Sequence, residues 1–400
     1  MMKRKRNLAP AILLSVLITC AACGPLTLQG QVTFQAKMLQ LDANEGIAAG
    51  DIDGDGDMDL VAGRNWFSNP DWVPRPLRTI EDWNGYVQSN GDFLFDVNQD
   101  GRLDVIAGSF LPTTVHWFEN PGPSGLEKGH LWKKHLLVDT GVSSNEGQLL
   151  EDLDGDGRPE WIVNSWQKNV PTTVWRWPDD SGDAAADENL SWTLQPHQLG
   201  ATGNGHGLGV GDVNGDGKKD VLTGQGWYEQ PSSDPWKNPW EFHAEWDFEA
   251  SLPVIVTDLN GDQRNDLIIG KGHEYGLFWM RNEGPDATGS IRWKEIAIDR
   301  EYSQPHTLAW VDIDADGREE LITGKRVRAH NGGDPGGKEP ACLFYYKWDP
   351  KTNAFQRYTI EQGHVGCGLQ IVTADLSGDH RVDIAVAGKS GTFLLIQNPQ

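Results

Sequence analysis

Seven times along this 400-residue chain, carboxylates and amides alternate with small residues in one pattern, fullest in Asp51-Ile52-Asp53-Gly54-Asp55-Gly56-Asp57-Met58-Asp59. The other copies begin at Asp96, Asp152, Asp212, Asp258, Asp312 and Asp375. Side-chain oxygens at positions 1, 3, 5 and 9 of the pattern can wrap around one hard cation. Ca²⁺ suits them, because it takes about six to eight oxygens in adaptable geometry. Glycines at positions 4 and 6 admit the left-handed turns that aim the oxygens inward. The expected calcium ligands are Asp51, Asp53, Asp55 and Asp59, then Asp96, Asn98, Asp100 and Asp104, then Asp152, Asp154, Asp156 and Glu160. They continue with Asp212, Asn214, Asp216 and Asp220, with Asp258, Asn260, Asp262 and Asp266, and with Asp312, Asp314, Asp316 and Glu320. The last copy carries Ser377 and His380 at key places and is left out of the set. So many similar sites suit a scaffold, with calcium stapling turns, better than a sensor.

A second set of polar residues emerges when the copies are aligned on their first aspartate. Six residues upstream lie Glu45, Asn90, Glu146, His206, Leu252, His306 and Leu369. Thirteen residues downstream lie Arg64, Ser109, Ser165, Gln225, Lys271 and Lys325, with Lys389 one place later. His206 and His306 share a register, and His273 falls between them in Lys271-Gly272-His273-Glu274-Tyr275. Three imidazoles from consecutive repeats can hold Zn²⁺ and leave a coordination position open, and imidazole favours zinc over calcium. The alternatives are solvated loop histidines or hydrogen-bonding groups in a binding pocket. His330 and His364 are neighbouring candidates.

These residues need elements to position them. Each acidic stretch is followed by a short apolar run, such as Leu60-Val61-Ala62-Gly63 or Val221-Leu222-Thr223-Gly224. An acidic signature with β-rich filler, repeating at roughly fifty residues, predicts a propeller or related array. Each unit reads as four short strands. The inner one precedes the acidic loop, the second follows it, and the third ends in an aromatic pair and a proline, as in Trp66-Phe67-Ser68-Asn69-Pro70. Proline there stops ladder pairing. The fourth starts near a tryptophan, as at Trp132, Trp240 and Trp293. The tryptophans are expected to pack blade against blade, and His135 and His243 to be structural or exposed. The last unit lacks a fourth strand, which Thr33 to Leu39 can supply from the N-terminal end, removing two exposed edges. The expectation is an all-β, seven-bladed β-propeller over residues 33–400, closed by an N-terminal strand and carrying calcium-binding loops. In such a ring both polar registers meet at one mouth of the central channel.

The tandem acidic loops followed by glycine-rich strands resemble the FG-GAP/VCBS repeat family, which implies the propeller fold and says little about activity. A narrower resemblance is carried by Gly205-His206-Gly207, by Gly272-His273-Glu274, and by Gln304-Pro305-His306-Thr307 with the acidic loop from Asp312 to Gly317. These stretches look like the propeller domain of aldos-2-ulose dehydratases. That resemblance implies a metal-holding cleft and a zinc-dependent lyase acting on an oxidised sugar.

On this reading zinc at His206, His273 and His306 acts as Lewis acid on a carbonyl or enediolate oxygen. Glu146 or Glu45 is the expected general base, its pKa raised in a low-water cleft. Arg64, Lys271, Lys325, Arg326 and Lys389 hold substrate oxygens or a carboxylate, with Lys325 counted among the catalytic groups. Tyr302 and His330 are candidate acids. The glycine-rich loop from His330 to Gly337 is a candidate lid. The competing expectation is a non-catalytic propeller that binds glycans or partner proteins through the same face.

Composition bounds the rest. Lys3 to Arg6 form a basic head, Leu8 to Ile18 an apolar stretch too short to span a membrane, and Ala21-Ala22-Cys23-Gly24 a small-residue cleavage site. Residues 1–22 are therefore expected to be a lipoprotein-type leader, with 23–32 a linker. The protein is then exported to the periplasm, outer membrane or cell surface and touches membrane only through lipid on Cys23. A net charge of −24 argues against nucleic acid, which needs a basic surface. Only Cys342 and Cys367 lie beyond the leader region, too few for a disulfide framework. A monomer is expected. No P-loop, GxSxG, HExxH or dinucleotide fingerprint occurs.

Overall fold

The computed structural model describes residues 31–400 apart from 168, 179–191, 249–251 and 400. The expected leader with Cys23 and the acidic run 179–188 lie outside the described residues. Residues from Val32 onward build seven four-stranded antiparallel sheets. Blade one is Ala48–Gly50, Asp59–Ala62, Asn65–Phe67 and Pro74–Pro76. The inner strands of blades two to six are Gly91–Phe95, Asn145–Glu151, Leu208–Gly211, Ile255–Thr257 and Pro305–Val311. Blade seven joins Ile371–Ala374, Asp383–Gly388 and Gly391–Gln397 to Phe34–Gln40, which pairs with the Gly391–Gln397 strand. The fold is a seven-bladed β-propeller.

Its hydrophobic core is divided. Seven apolar clusters lie between neighbouring blades, one for each interface. The large aromatics of the second and third strands fill them, among them Trp66, Trp117, Trp161 and Trp227. Two tryptophans depart from this packing role: Trp83 and Trp166 remain 47% and 36% exposed and face the central cavity. His135 stacks on Trp117 and His243 on Trp227, each at 4.2 Å, and each bonds a glutamate of the same blade. Both are structural. Cys342 and Cys367 are buried, unpaired thiols.

The acidic loops act as joints as well as turns. Their second residue is always apolar and buried, as with Ile52, Val97, Leu153 and Val213. Those four reach into the interface with the next blade. In the first two loops the ninth-position carboxylate is buried and accepts backbone N–H groups on both oxygens: Asp59 takes those of Ile52 and Asn69, Asp104 those of Val97 and Asn120. The amide closing the third strand then ties two blades together. Asn120 donates to Leu103 O in its own loop and to Ile52 O in the preceding one. Gln230 and Gln397 repeat the arrangement.

Candidate metal centre and adjoining cavity

Glu146 and His306 stand on inner strands, His206 just before one, and His273 in the turn after Asp266–Gly270. The propeller brings all four to one end of the channel. His206 Nε2 lies 3.1 Å from the Nε2 atoms of both His306 and His273, and 3.0 Å from Glu146 Oε2. Glu146 Oε1 is 3.6 Å from His306 Nε2, and Glu146 Oε2 is 4.0 Å from His273 Nε2. Glycine makes this convergence sterically feasible. A Cβ on Gly272 would sit 2.7 Å from both His206 Cε1 and His306 Cδ2. Gly205 and Gly207, with φ of 142° and 101°, let the backbone swing His206 inward.

Burial, with help from Arg326, pushes His306 down to about 3, so its ring is neutral and offers a lone pair. Burial opposes the charged form of His273 as well, but Glu146 and Asp334 outweigh it and raise its pKa. Asp334 Oδ2 accepts from His273 Nδ1 at 2.8 Å and from Gln304 Nε2 at 2.9 Å, which fixes the ring. Such an outer carboxylate is the usual support of a metal-ligating imidazole. The other oxygen of Asp334 binds His330 Nδ1 at 2.7 Å, and the His330 ring stacks on His273 at 4.5 Å. Trp166 Nε1 donates to Glu146 at 2.7 Å.

Beside the cluster lies a cavity of about 230 Å³, walled by Trp83, Tyr86, Phe110 and Trp166, with Asn84, Gln88, Asn90 and Ser109 adding polar edges. Glu45, Glu146, Arg326, His330 and Lys389 also line it. Burial would raise both carboxyl groups, yet Arg326 overrides it at Glu146, and Arg326 with Lys389 overrides it at Glu45, holding both well below the usual range. This corrects the expectation of a raised pKa: both glutamates are ionised and ion-paired, which makes each a weaker base. Burial pushes Lys389 down, Glu45 opposes this and Arg326 reinforces it, leaving the ammonium at about 8.

Other expected site residues are placed elsewhere. Lys325 is enclosed, its Nζ donating to Ser303, Gln304 and the Gly336 carbonyl. Tyr302 lies in the core between blades five and six, because its strand turns that face inward. Arg64 is held by Asp42, Asp82 and the Ile80 carbonyl, and Lys271 lies over the Phe278 ring. Among the described residues, Ser109 and Lys389 of the thirteen-residue register line the cavity. Conversely, Glu146 joins the histidines as a fourth donor, a place its shared register with His206 and His306 could have suggested. Asp334 and Trp166 had no comparable signal. The His330-to-Gly337 loop reaches across the mouth: Tyr86 Oη accepts from Asn331 N at 2.9 Å and donates to Arg328 O at 3.0 Å.

The model for the FG-GAP-like repeat matches residues 152–223 and 258–323, from the acidic loop of blade three into blade four and from that of blade five into blade six. No curated protein matches the sequence, so the narrower likeness to aldos-2-ulose dehydratases has no support there. Among solved structures, an Agrocybe aegerita lectin described as recognising non-reducing terminal N-acetylglucosamine is 16% identical, with 93% of this chain and 87% of that one covered and a TM-score of 0.47. The exotype rhamnogalacturonan lyase YesX is 13% identical, covering 91% and 72%, at a TM-score of 0.46. Virginiamycin B lyase from Staphylococcus aureus is 13% identical, covering 92% and 99%, at 0.49. These likenesses concern the fold alone. Two FG-GAP-like repeats thus lie within a seven-bladed β-propeller whose blades are keyed by one recurring acidic loop.

Proposed function

We propose that the cluster is a transition-metal centre and that the protein is a metal-dependent carbon–oxygen lyase acting on an oxidised sugar in the adjoining cavity. The observation that carries the metal is the set of contacts at His206. Four-coordinate zinc with bonds of about 2.0–2.1 Å separates its ligand atoms by about 3.3 Å, close to the 3.0–3.1 Å from His206 Nε2 to its three neighbours. The donor chemistry, three imidazoles and an anionic carboxylate, suits zinc better than calcium. Held there by the three imidazoles and Glu146, zinc would supply Lewis-acid polarisation of a substrate carbonyl by taking that oxygen as a further ligand.

The chain's own groups handle the rest. The aromatic walls exclude water and stack on a sugar ring, and the polar edge binds hydroxyl groups. Lys389 Nζ takes the proton from the carbon next to the carbonyl. The C–H electron pair becomes the carbon–carbon double bond as the β-oxygen departs, and Lys389 returns the proton to that oxygen. His330 donates a hydrogen bond to the leaving group. Product formation from 2-keto and 3-keto sugars, followed as enone absorbance together with zinc content, tests this reading. Zinc-loaded protein inert on all such sugars would refute it.

A glycan-binding reading is favoured by one observation, the exposed faces of Trp83 and Trp166 on the cavity wall. Sugar binding that persists after chelation, without turnover, would select it. In either case we propose that the acidic loops hold calcium. In the first loop Asp51, Asp53 and Asp59 converge, and in the third Asp152, Asp154 and Glu160 do the same. The leader sequence supports export as a lipid-anchored monomer.

A further inference from the structure

The sixth acidic loop combines the common backbone with a cation from a neighbouring strand. Its backbone is built alike: Asp312 accepts from Asp316 N and Gly317 N, and Glu320 accepts from Ile313 N. Yet a lysine from the third strand enters it. Lys347 Nζ contacts Asp314 Oδ2, lies 2.9 Å from Asp316 Oδ2 and is 3.5 Å from Glu320 Oε1. Those are the residues at loop positions 3, 5 and 9, where cation ligands are expected. Basic residues that sit on an acidic loop itself touch its position 5: Arg102 on Asp100, Lys218 on Asp216, Arg264 on Asp262, Arg381 on Asp379. In blade one Ser68, not a cation, approaches the third position, Asp53.

We propose that the Lys347 ammonium is the resident cation of the sixth loop, so that this loop is closed without calcium. The inference goes beyond the lyase reading and rests only on the calcium reading of the acidic loops. One positive charge meets three carboxylates there, and its donors are directional hydrogen bonds rather than ionic coordination. Burial would depress this lysine, but Asp314 and Asp316 hold its pKa above the ordinary range, so it stays charged. A divalent ion and the ammonium cannot share the space between Asp314, Asp316 and Glu320. The blade also replaces the usual strand-ending amide by Trp348. It has thus lost one joint found in blades two, four and seven and gained an ion pair within the loop.

Two experiments decide it. Anomalous diffraction from wild-type crystals grown in calcium should show density in the first loop and none between Asp314 and Glu320. Density at the sixth loop overturns the proposal. In solution, Lys347→Met should lose several degrees of melting temperature in chelator, recover them on adding calcium, and bind one more calcium than wild type. Lys218→Met, whose lysine touches only position 5, should gain none. A Lys347→Met protein as stable as wild type in chelator, or one not rescued by calcium, overturns the proposal. Wild type that binds no calcium at all would instead refute the calcium reading of the other loops, while a chelator-sensitive Lys347→Met would still place the ammonium in its loop.

Discussion

Arg326, in the connection between the second and third strands of blade six, donates to Glu146 of blade three across the channel, and its other edge holds both oxygens of Glu45 in blade one. Lys389 of blade seven completes the line through a 2.6 Å bond to Glu45. Opposite charges thus alternate from blade seven to the histidine cluster. This network presents Glu146 as an anion to the imidazoles and ties distant blades around the mouth.

Removing the centre of that network should be costly. Arg326→Met leaves two buried carboxylates without their shared cation, and stranded buried charges typically cost about 3–5 kcal/mol. Chemical denaturation should register a loss of that order. Arg326→Lys should recover only part of it, because an ammonium cannot match the two-pronged contact with Glu45. An unchanged denaturation midpoint for the methionine variant would contradict the arrangement.

Metal content separates the ligands from their supporters. In protein purified without a histidine tag, His206→Ala and His306→Ala should each abolish the roughly one zinc per chain. Asp334→Asn, which keeps the shape but weakens the hold on His273 Nδ1, should lower zinc affinity about 10–100-fold, the usual effect of an outer-ligand change. His330→Ala should keep the zinc. Retention of full zinc by His306→Ala would remove the cluster from consideration as a metal site.

The fold was largely legible in the chain because its information is periodic. Seven acidic loops and seven apolar runs specify seven repeated units. Legibility faded where geometry depends on contacts between repeats. Upstream of each loop the count holds, because Glu146 and His306 fall in the same irregular step of their inner strands, so they and His206 could be placed together by counting. Downstream, the connection between second and third strands varies in length and twist. Arg64, Lys271 and Lys325 could not be oriented by counting, and each found a local partner instead. The pKa of Glu45 and Glu146 was misjudged for a related reason. Burial was foreseeable from their place at the channel mouth, whereas Arg326 arriving from five repeats and three repeats away was not.

The strand-ending amides offer a test of how the blades adhere. Asn120→Ala leaves the carbonyls of Ile52 and Leu103 without this donor in a buried setting. Unpaired buried polar groups cost about 1–3 kcal/mol each at most, so a loss near the middle of that range is expected in denaturation. Asn120→Asp should be worse, since the new carboxylate would face two carbonyl oxygens. A neutral result for alanine would mean that the stitch between blades one and two contributes nothing.

Lys389 should leave its signature in the pH dependence of turnover. The groups facing it are Glu45, Arg326 and Glu146, with the Tyr86 ring at 4.6 Å, and together with burial they set its ammonium at about 8. The lysine must be neutral to accept a proton, so kcat/KM should be low at pH 6, rise tenfold per unit, and level off above about 8. Lys389→Arg, which stays protonated and keeps the charge beside Glu45, should preserve folding and zinc. It should also cut kcat by about 10²–10⁴-fold, the range of a lost general base, and erase the rising limb. A purely structural lysine would lower stability or KM and leave that limb where it was.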